Sequence, residues 1–191
     1  MNGTQVHTVT HESIPAHTHT RSSTVVAGGA MLEGFGALAT MALAIIGLAG
    51  LFPASMAAIA TIVLGAAILF EGGAVTWKNG RIMPVNMTEG KRFEVGAMAD
   101  FQGGVAAIVL GILALLGISQ LSLLSVALIA VGAAFLFSGR FLSGLAGVVL
   151  GILAVVGLSP LSLVLVGLLV LGAGILFAGS ELAVSTWAEQ R

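Results

Sequence analysis

The chain contains no cysteine, and only 8% of its 191 residues are charged. Without cysteine there can be no disulfide, no thiolate nucleophile and no Cys-based metal site, and the redox compartment leaves no mark on the sequence. Seven Lys and Arg against eight Asp and Glu, a net charge of −1, offer no basic face to nucleic acid and no acidic face to a cationic partner. Nor can so few charges cover the surface of a soluble domain of this length. Catalytic groupings are missing as well. There is no Ser/His/Asp combination, no His-Glu-x-x-His and no pair of carboxylates in a polar setting, so an enzymatic activity has no residues to carry it. No glycine cluster lies between a strand and a polar helix start, which removes phosphate loops and dinucleotide fingerprints. The expectation is a non-enzymatic protein without a cofactor.

What the chain has instead is apolar length. Hydrophobic residues make up 58% of it, and the mean hydropathy is +1.11. The stretch from Phe101 to Arg140 is followed by a gapless second version of itself. Val109-Leu-Gly-Ile-Leu-Ala114 recurs as Val149-Leu-Gly-Ile-Leu-Ala154, Leu121-Ser-Leu123 as Leu161-Ser-Leu163, and Leu136-Phe137 as Leu176-Phe177. Roughly half of the paired positions are identical, which is the signature of an internal duplication. A third copy lies 67 residues upstream, where Gly50, Ser55, Gly65, Leu69, Phe70 and Gly72 fall on Gly117, Ser122, Gly132, Leu136, Phe137 and Gly139. Each copy is an apolar run, a short polar break and a second apolar run.

The predicted fold class is therefore all-α: an integral membrane protein with six transmembrane helices arranged as three repeated hairpins. The predicted organisation is a polar His/Thr-rich tail over 1–27, hairpin 1 over 28–76 and a cytoplasmic loop over 77–97. Hairpin 2 follows over 98–140, hairpin 3 over 141–181 and a C-terminal tail over 182–191. The first thirty residues lack a cleavable-signal pattern, so the first apolar segment is expected to direct insertion itself. Spans of about 18–21 residues come near the minimum for a hydrocarbon core of roughly 30 Å. Pro53 and Pro160 break the chain between the runs, and Ser55 is a candidate cap for the second helix. All seven cations (Arg21, Lys78, Arg81, Lys91, Arg92, Arg140 and Arg191) fall on the side opposite the three turns. By the positive-inside rule this places both termini and the 77–97 loop in the cytoplasm, most simply across a bacterial inner membrane. Trp77 and Trp187 fit the interfacial ring of such a protein.

Glycine marks how the helices should meet. Apolar burial gains nothing in lipid, so helix association depends on close backbone approach. Gly103, Ala107 and Gly111 form one small-residue ridge, and Gly147 and Gly151 form its counterpart in the next copy. Gly65, Gly132 and Gly172 mark one depth on the other helix of each hairpin. All eight read as helix-packing positions. Phe35, Phe101, Phe137, Phe141 and Phe177 read as packing or lipid-facing aromatics.

Two groups are candidates for something more. Glu33, Asp100 and Arg140 occupy one equivalent position in the three copies, so a structure with approximate three-fold internal symmetry would gather them. Glu71 sits where the sequence stays apolar for several further residues. The competing reading is that these charges simply lie at headgroup level, where ionised groups are tolerated. In the N-terminal segment, His7, His11, His17 and His19 are candidate Zn or Cu ligands. Against that, their Thr-rich surroundings do not favour the helix that i, i+4 chelation needs.

Gly50-Leu-Phe-Pro53 with Gly65 to Gly72, Gly117-Ile-Ser-Gln120 with Gly132 to Gly139, and Gly157-Leu-Ser-Pro160 with Gly172 to Gly179 together resemble the HdeD family of acid-resistance membrane proteins. That resemblance covers about 32–180 apart from the insert at 73–99. It implies a six-helix inner-membrane protein connected with survival of dense bacterial cultures in acid, and it brings no catalytic residues. The His/Thr tail and the insert depart from the family pattern and are the candidate docking segments. The leading functional expectation is a small scaffold or accessory subunit, packed against the lipid bilayer and against itself or a larger membrane complex through Gly-rich faces, in envelope or acid stress. The alternatives are a channel or carrier for protons or a small solute, and a metal-handling tail.

Overall fold

The computed structural model describes the backbone of residues 20–79 and 89–188 and the side chains of 33–70 and 96–178. It is all-helical among the described residues: α1 (Thr20–Leu48), α2 (Pro53–Asn79), α3 (Glu89–Leu115), α4 (Gln120–Ser138), α5 (Phe141–Val156) and α6 (Pro160–Ala188). Four segments are long and apolar enough to cross a membrane: Pro53–Phe70, Gly96–Leu115, Gln120–Ser138 and Pro160–Ala178. Helix α5, at 16 residues, is the shortest of the six, and the described side chains of α1, Glu33–Leu48, are likewise apolar after Glu33 apart from Thr40.

Consecutive helices pack on one another, and α6 returns to α1, so the six close a ring. Within it α2, α4 and α6 also touch each other, whereas among the described residues α1, α3 and α5 do not pack together. The even helices thus form the centre and the odd helices fill the outer grooves. Side-chain size accounts for this division. Along α2, Ala57, Thr61, Leu64 and Ile68 recur at the 4-3-4 spacing of a helix–helix seam, and all four are buried. Leu124, Leu128, Val131 and Phe135 stand at the corresponding positions of α4, and Val164, Leu168, Leu171 and Ile175 at those of α6. These twelve side chains stack as four layers.

The odd helices approach that centre through small residues. A Cβ placed on Gly36 would lie 2.6 Å from the Cβ of Ala67, and one on Gly103 would lie 2.6 Å from that of Ala134. Between α5 and α6 the same contact recurs with the sizes exchanged, Gly174 against Ser143. Between α2 and α3 Gly65 meets Gly104 and Ala107, between α4 and α5 Gly132 meets Gly144 and Gly147, and between α6 and α1 Gly172 meets Ala37 and Met41. Gly111 and Gly151 each face an isoleucine of the preceding even helix, Ile62 and Ile129.

The turns at one end share a single geometry. Gly50, Gly117 and Gly157 have φ between 83° and 95°, and their N–H groups donate back to Gly47, Ala114 and Ala154 at 3.0–3.1 Å. Positive φ is open to glycine without a Cβ clash, so each closes its helix. Two residues later Phe52, Ser119 and Ser159 also take a left-handed conformation, and the next helix starts at once.

Several boundaries differ from the sequence expectation. Helix α1 reaches back to Thr20, inside the segment read as tail, and α6 runs on to Ala188, through most of the C-terminal tail. From the 77–97 loop, α2 takes the residues up to Asn79 and α3 those from Glu89. Extending an existing helix is easy compared with nucleating one, so polar residues flanking a stable span join it. Ser55 is no N-cap. Helix α2 already begins at Pro53, whose fixed φ suits the first helical position, and Ser55 lies within the first turn.

Candidate functional site

The charged end of the bundle holds its most polar arrangement, and Arg140 is its centre. Helix α4 stops at Gly139, whose φ is 95°, and α5 begins one residue after Arg140. The Arg140 N–H donates to the Phe135 carbonyl at 2.9 Å, and the Arg140 carbonyl accepts from the Gly144 N–H at 2.9 Å and the Ser143 hydroxyl at 3.1 Å. With its backbone pinned on both sides, the side chain has little choice of direction. Its Nη2 donates to Glu33 Oε1 on α1 at 2.7 Å, and the guanidinium lies 5.1 Å from the centre of the Phe135 ring. Both charged side chains are largely buried, at 14% and 15% exposure.

The electrostatics of the junction explain the pair. The carbonyl end of α4 favours a cation at this place, but the N-terminus of α5 opposes one. Glu33 supplies the compensating charge from 107 residues away. Phe135, wholly buried in the last central layer, adds the attraction of its ring face.

Asp100 is 5% exposed. It lies one turn from Gly96 and one from Gly103, which face Ser138 and Ala134. Asp100 therefore shares the side of α3 turned to α4, toward the end from which Arg140 follows. Of the four candidate charges, the structure brings Glu33 and Arg140 into contact and buries Asp100 at the same end. Glu71 belongs to α2 just past the described side chains, and its own side chain lies outside them. His7, His11, His17 and His19 lie outside the described residues altogether. Among the described residues, no three His, Asp or Glu side chains gather as a metal set.

The eight helix-packing candidates, Gly65, Gly103, Ala107, Gly111, Gly132, Gly147, Gly151 and Gly172, all stand at contacts between helices of this one chain. Their ridges are occupied internally. Buried hydroxyls are satisfied locally: Thr40, Thr61 and Ser125 donate to the carbonyls of Gly36, Ala57 and Leu121 at 2.7–2.8 Å. Such a bond closes the donor within its own helix and leaves no group reaching for a ligand.

Sequence reasoning passed over Phe135. Its counterparts in the other copies are Ile68 and Ile175, and the copy with the aromatic ring is the one followed five residues later by an arginine. That coincidence was the available signal. An ion pair with a stacked ring can orient and hold helix ends. No protein-family model, no curated protein and no solved structure matches the chain.

Proposed function

We propose that this is a six-span protein of a bacterial inner membrane, three repeated helical hairpins with both termini in the cytoplasm. It acts without catalysis, as a small scaffold or accessory subunit in a homo-oligomer or larger membrane complex. The resemblance to the HdeD family motivates a place in envelope or acid stress.

One observation carries the proposal: along the odd helices, small residues face the bundle and large apolar ones face outward. Gly36, Gly103, Gly132 and their equivalents bring backbones together, while Phe35, Leu38, Val105, Val109, Leu145 and Val149 are exposed along the odd helices. A soluble protein rarely leaves so continuous an apolar surface in water. A bilayer accepts it. The same turn joins α1 to α2, α3 to α4 and the short α5 to α6, which supports six crossings over four.

The glycine ridges are filled by this chain's own helices, so partners meet the outer faces or the segments beyond the bundle. The buried and, apart from Thr61, apolar side chains between α2, α4 and α6 favour a scaffold over a channel along the centre. Native mass spectrometry of the protein released gently from its membranes tests the proposal. A fixed partner or a defined homo-oligomer is expected, and a clean monomer overturns the scaffold.

A further inference from the structure

The end of the bundle opposite Arg140 is a crown of three turns that carries large apolar side chains where a loop in water would carry polar ones. Leu51, Phe52, Leu116, Ile118, Val156 and Leu158 are all more than half exposed there, with Phe52 at 75% and Leu116 at 71%. No Lys, Arg, Asp or Glu occurs in 34–70, 101–139 or 141–178, so no charge anchors this end in water.

Helix length points the same way. The 16 residues of α5 rise about 24 Å and the 19 of α4 about 28 Å at 1.5 Å per residue. A hydrocarbon core is roughly 30 Å thick. With the ionised groups Glu33 and Arg140 held at one interface, helices this short bring the turns only as far as the opposite hydrocarbon boundary.

The backbone of the turns suits that position. Besides the glycine N–H bonds, Leu51 and Ile118 donate to Ile46 and Leu113 at 3.4 and 3.3 Å, and Met56, Leu123 and Leu163 donate to Phe52, Ser119 and Ser159 at 3.0–3.1 Å. Pro53 and Pro160 carry no N–H at all. The first-turn N–H groups of α2, α4 and α6 remain, and lipid ester carbonyls are acceptors for them.

We infer that the three turns do not emerge into water and that lipid covers the crown at the level of the ester groups of the far leaflet. The protein is thus exposed to water on one side only and draws the far leaflet inward around itself. This inference rests on the six-span reading.

The chain has no native cysteine, so single-cysteine variants need no background removal. Leu116→Cys and Leu158→Cys place a thiol in the crown, and Val109→Cys places one halfway along the outer face of α3. Each is reconstituted at high lipid-to-protein ratio in phosphatidylcholine/phosphatidylglycerol vesicles and treated with a membrane-impermeant maleimide on both faces. Reaction at the two crown positions is expected to be about tenfold or more slower than after detergent is added, as for a group shielded from bulk water by the bilayer. Fluorophores attached there should be quenched most by lipids spin-labelled near the ester group. Rapid reaction of the crown thiols with Val109→Cys still protected overturns the inference and leaves the six spans standing. Rapid reaction of Val109→Cys overturns the six-span reading itself. Protection of the crown that disappears on further dilution in lipid means that a second copy covers it, which also overturns the inference.

Discussion

Arg140 and Glu33 stand 107 residues apart in the chain and 2.7 Å apart in the fold, joining the start of α5 to α1. The pair ties the α4–α5 junction to α1. Removing one partner from a largely buried ion pair leaves the other charge uncompensated, which is more damaging than losing both. Glu33→Ala or Arg140→Ala should each lower stability by roughly 1–3 kcal/mol, less than for a fully buried pair. The double variant should recover part of that loss. Thermal unfolding of the four proteins in one detergent gives the coupling energy, and a value indistinguishable from zero would remove the pair from the account of that junction.

Gly132 and Gly144 bring the backbones of α4 and α5 into direct contact. A Cβ on Gly132 would lie 2.9 Å from the Gly144 carbonyl oxygen, and one on Gly144 would lie 2.7 Å from that of Gly132. Backbone on both sides cannot rotate away as a side chain can. Gly132→Val should therefore destabilise by about 3 kcal/mol or more, at the upper end for overpacking. Gly34→Val is the control, since nothing lies within 4 Å of a Cβ there. Size-exclusion profiles and unfolding temperatures compare the two, and equal tolerance would contradict the packing described.

Much of this was legible in the residues. The duplication located the turns, because Gly50, Gly117 and Gly157 meet one conformational demand and recur at fixed offsets. The small-residue ridges were legible for a similar reason, since only a missing side chain lets backbones touch. Which helices form the centre was not. A helix that is apolar nearly all round has no polar face to mark its outside, so the assignment depends on where bulk sits, and Leu64, Val131 and Leu171 look no different in sequence from Leu38 or Val109. Glu33, Asp100 and Arg140 stand at one equivalent position of the sequence, and the structure joins two of them, whereas the Phe135 ring beside the pair departs from that equivalence and was missed.

Thr61 is the polar member of its layer, opposite Leu128 and Leu168. Its hydroxyl donates to Ala57 of its own helix at 2.7 Å, so the bond ties α2 to nothing else. Such back-bonding adds little stability and tends to bend the helix. Thr61→Val keeps the shape and removes the hydroxyl, and should change stability by less than about 1 kcal/mol in either direction. A loss well above that, read from the unfolding temperature, would mean that the hydroxyl does more than satisfy itself.

Ser143 and Gly174 reverse the sizes found between α1 and α2 and between α3 and α4, where glycine stands on the odd helix and alanine on the even one. A Cβ on Gly174 would lie 2.5 Å from the Ser143 Cβ, so Gly174→Ala alone should destabilise by roughly 1–3 kcal/mol through overpacking. Adding Ser143→Gly recreates the pairing of Gly36 with Ala67 and of Gly103 with Ala134. The double variant should return to within about 1 kcal/mol of the parent, a strong departure from additivity of the kind expected for two residues in direct contact. Ser143→Gly by itself opens a gap and gives up the hydroxyl bond to the Arg140 carbonyl, so it should be mildly destabilising. If the double variant instead shows the sum of the two single losses, α5 and α6 do not pack by the same rule as α1 with α2 and α3 with α4.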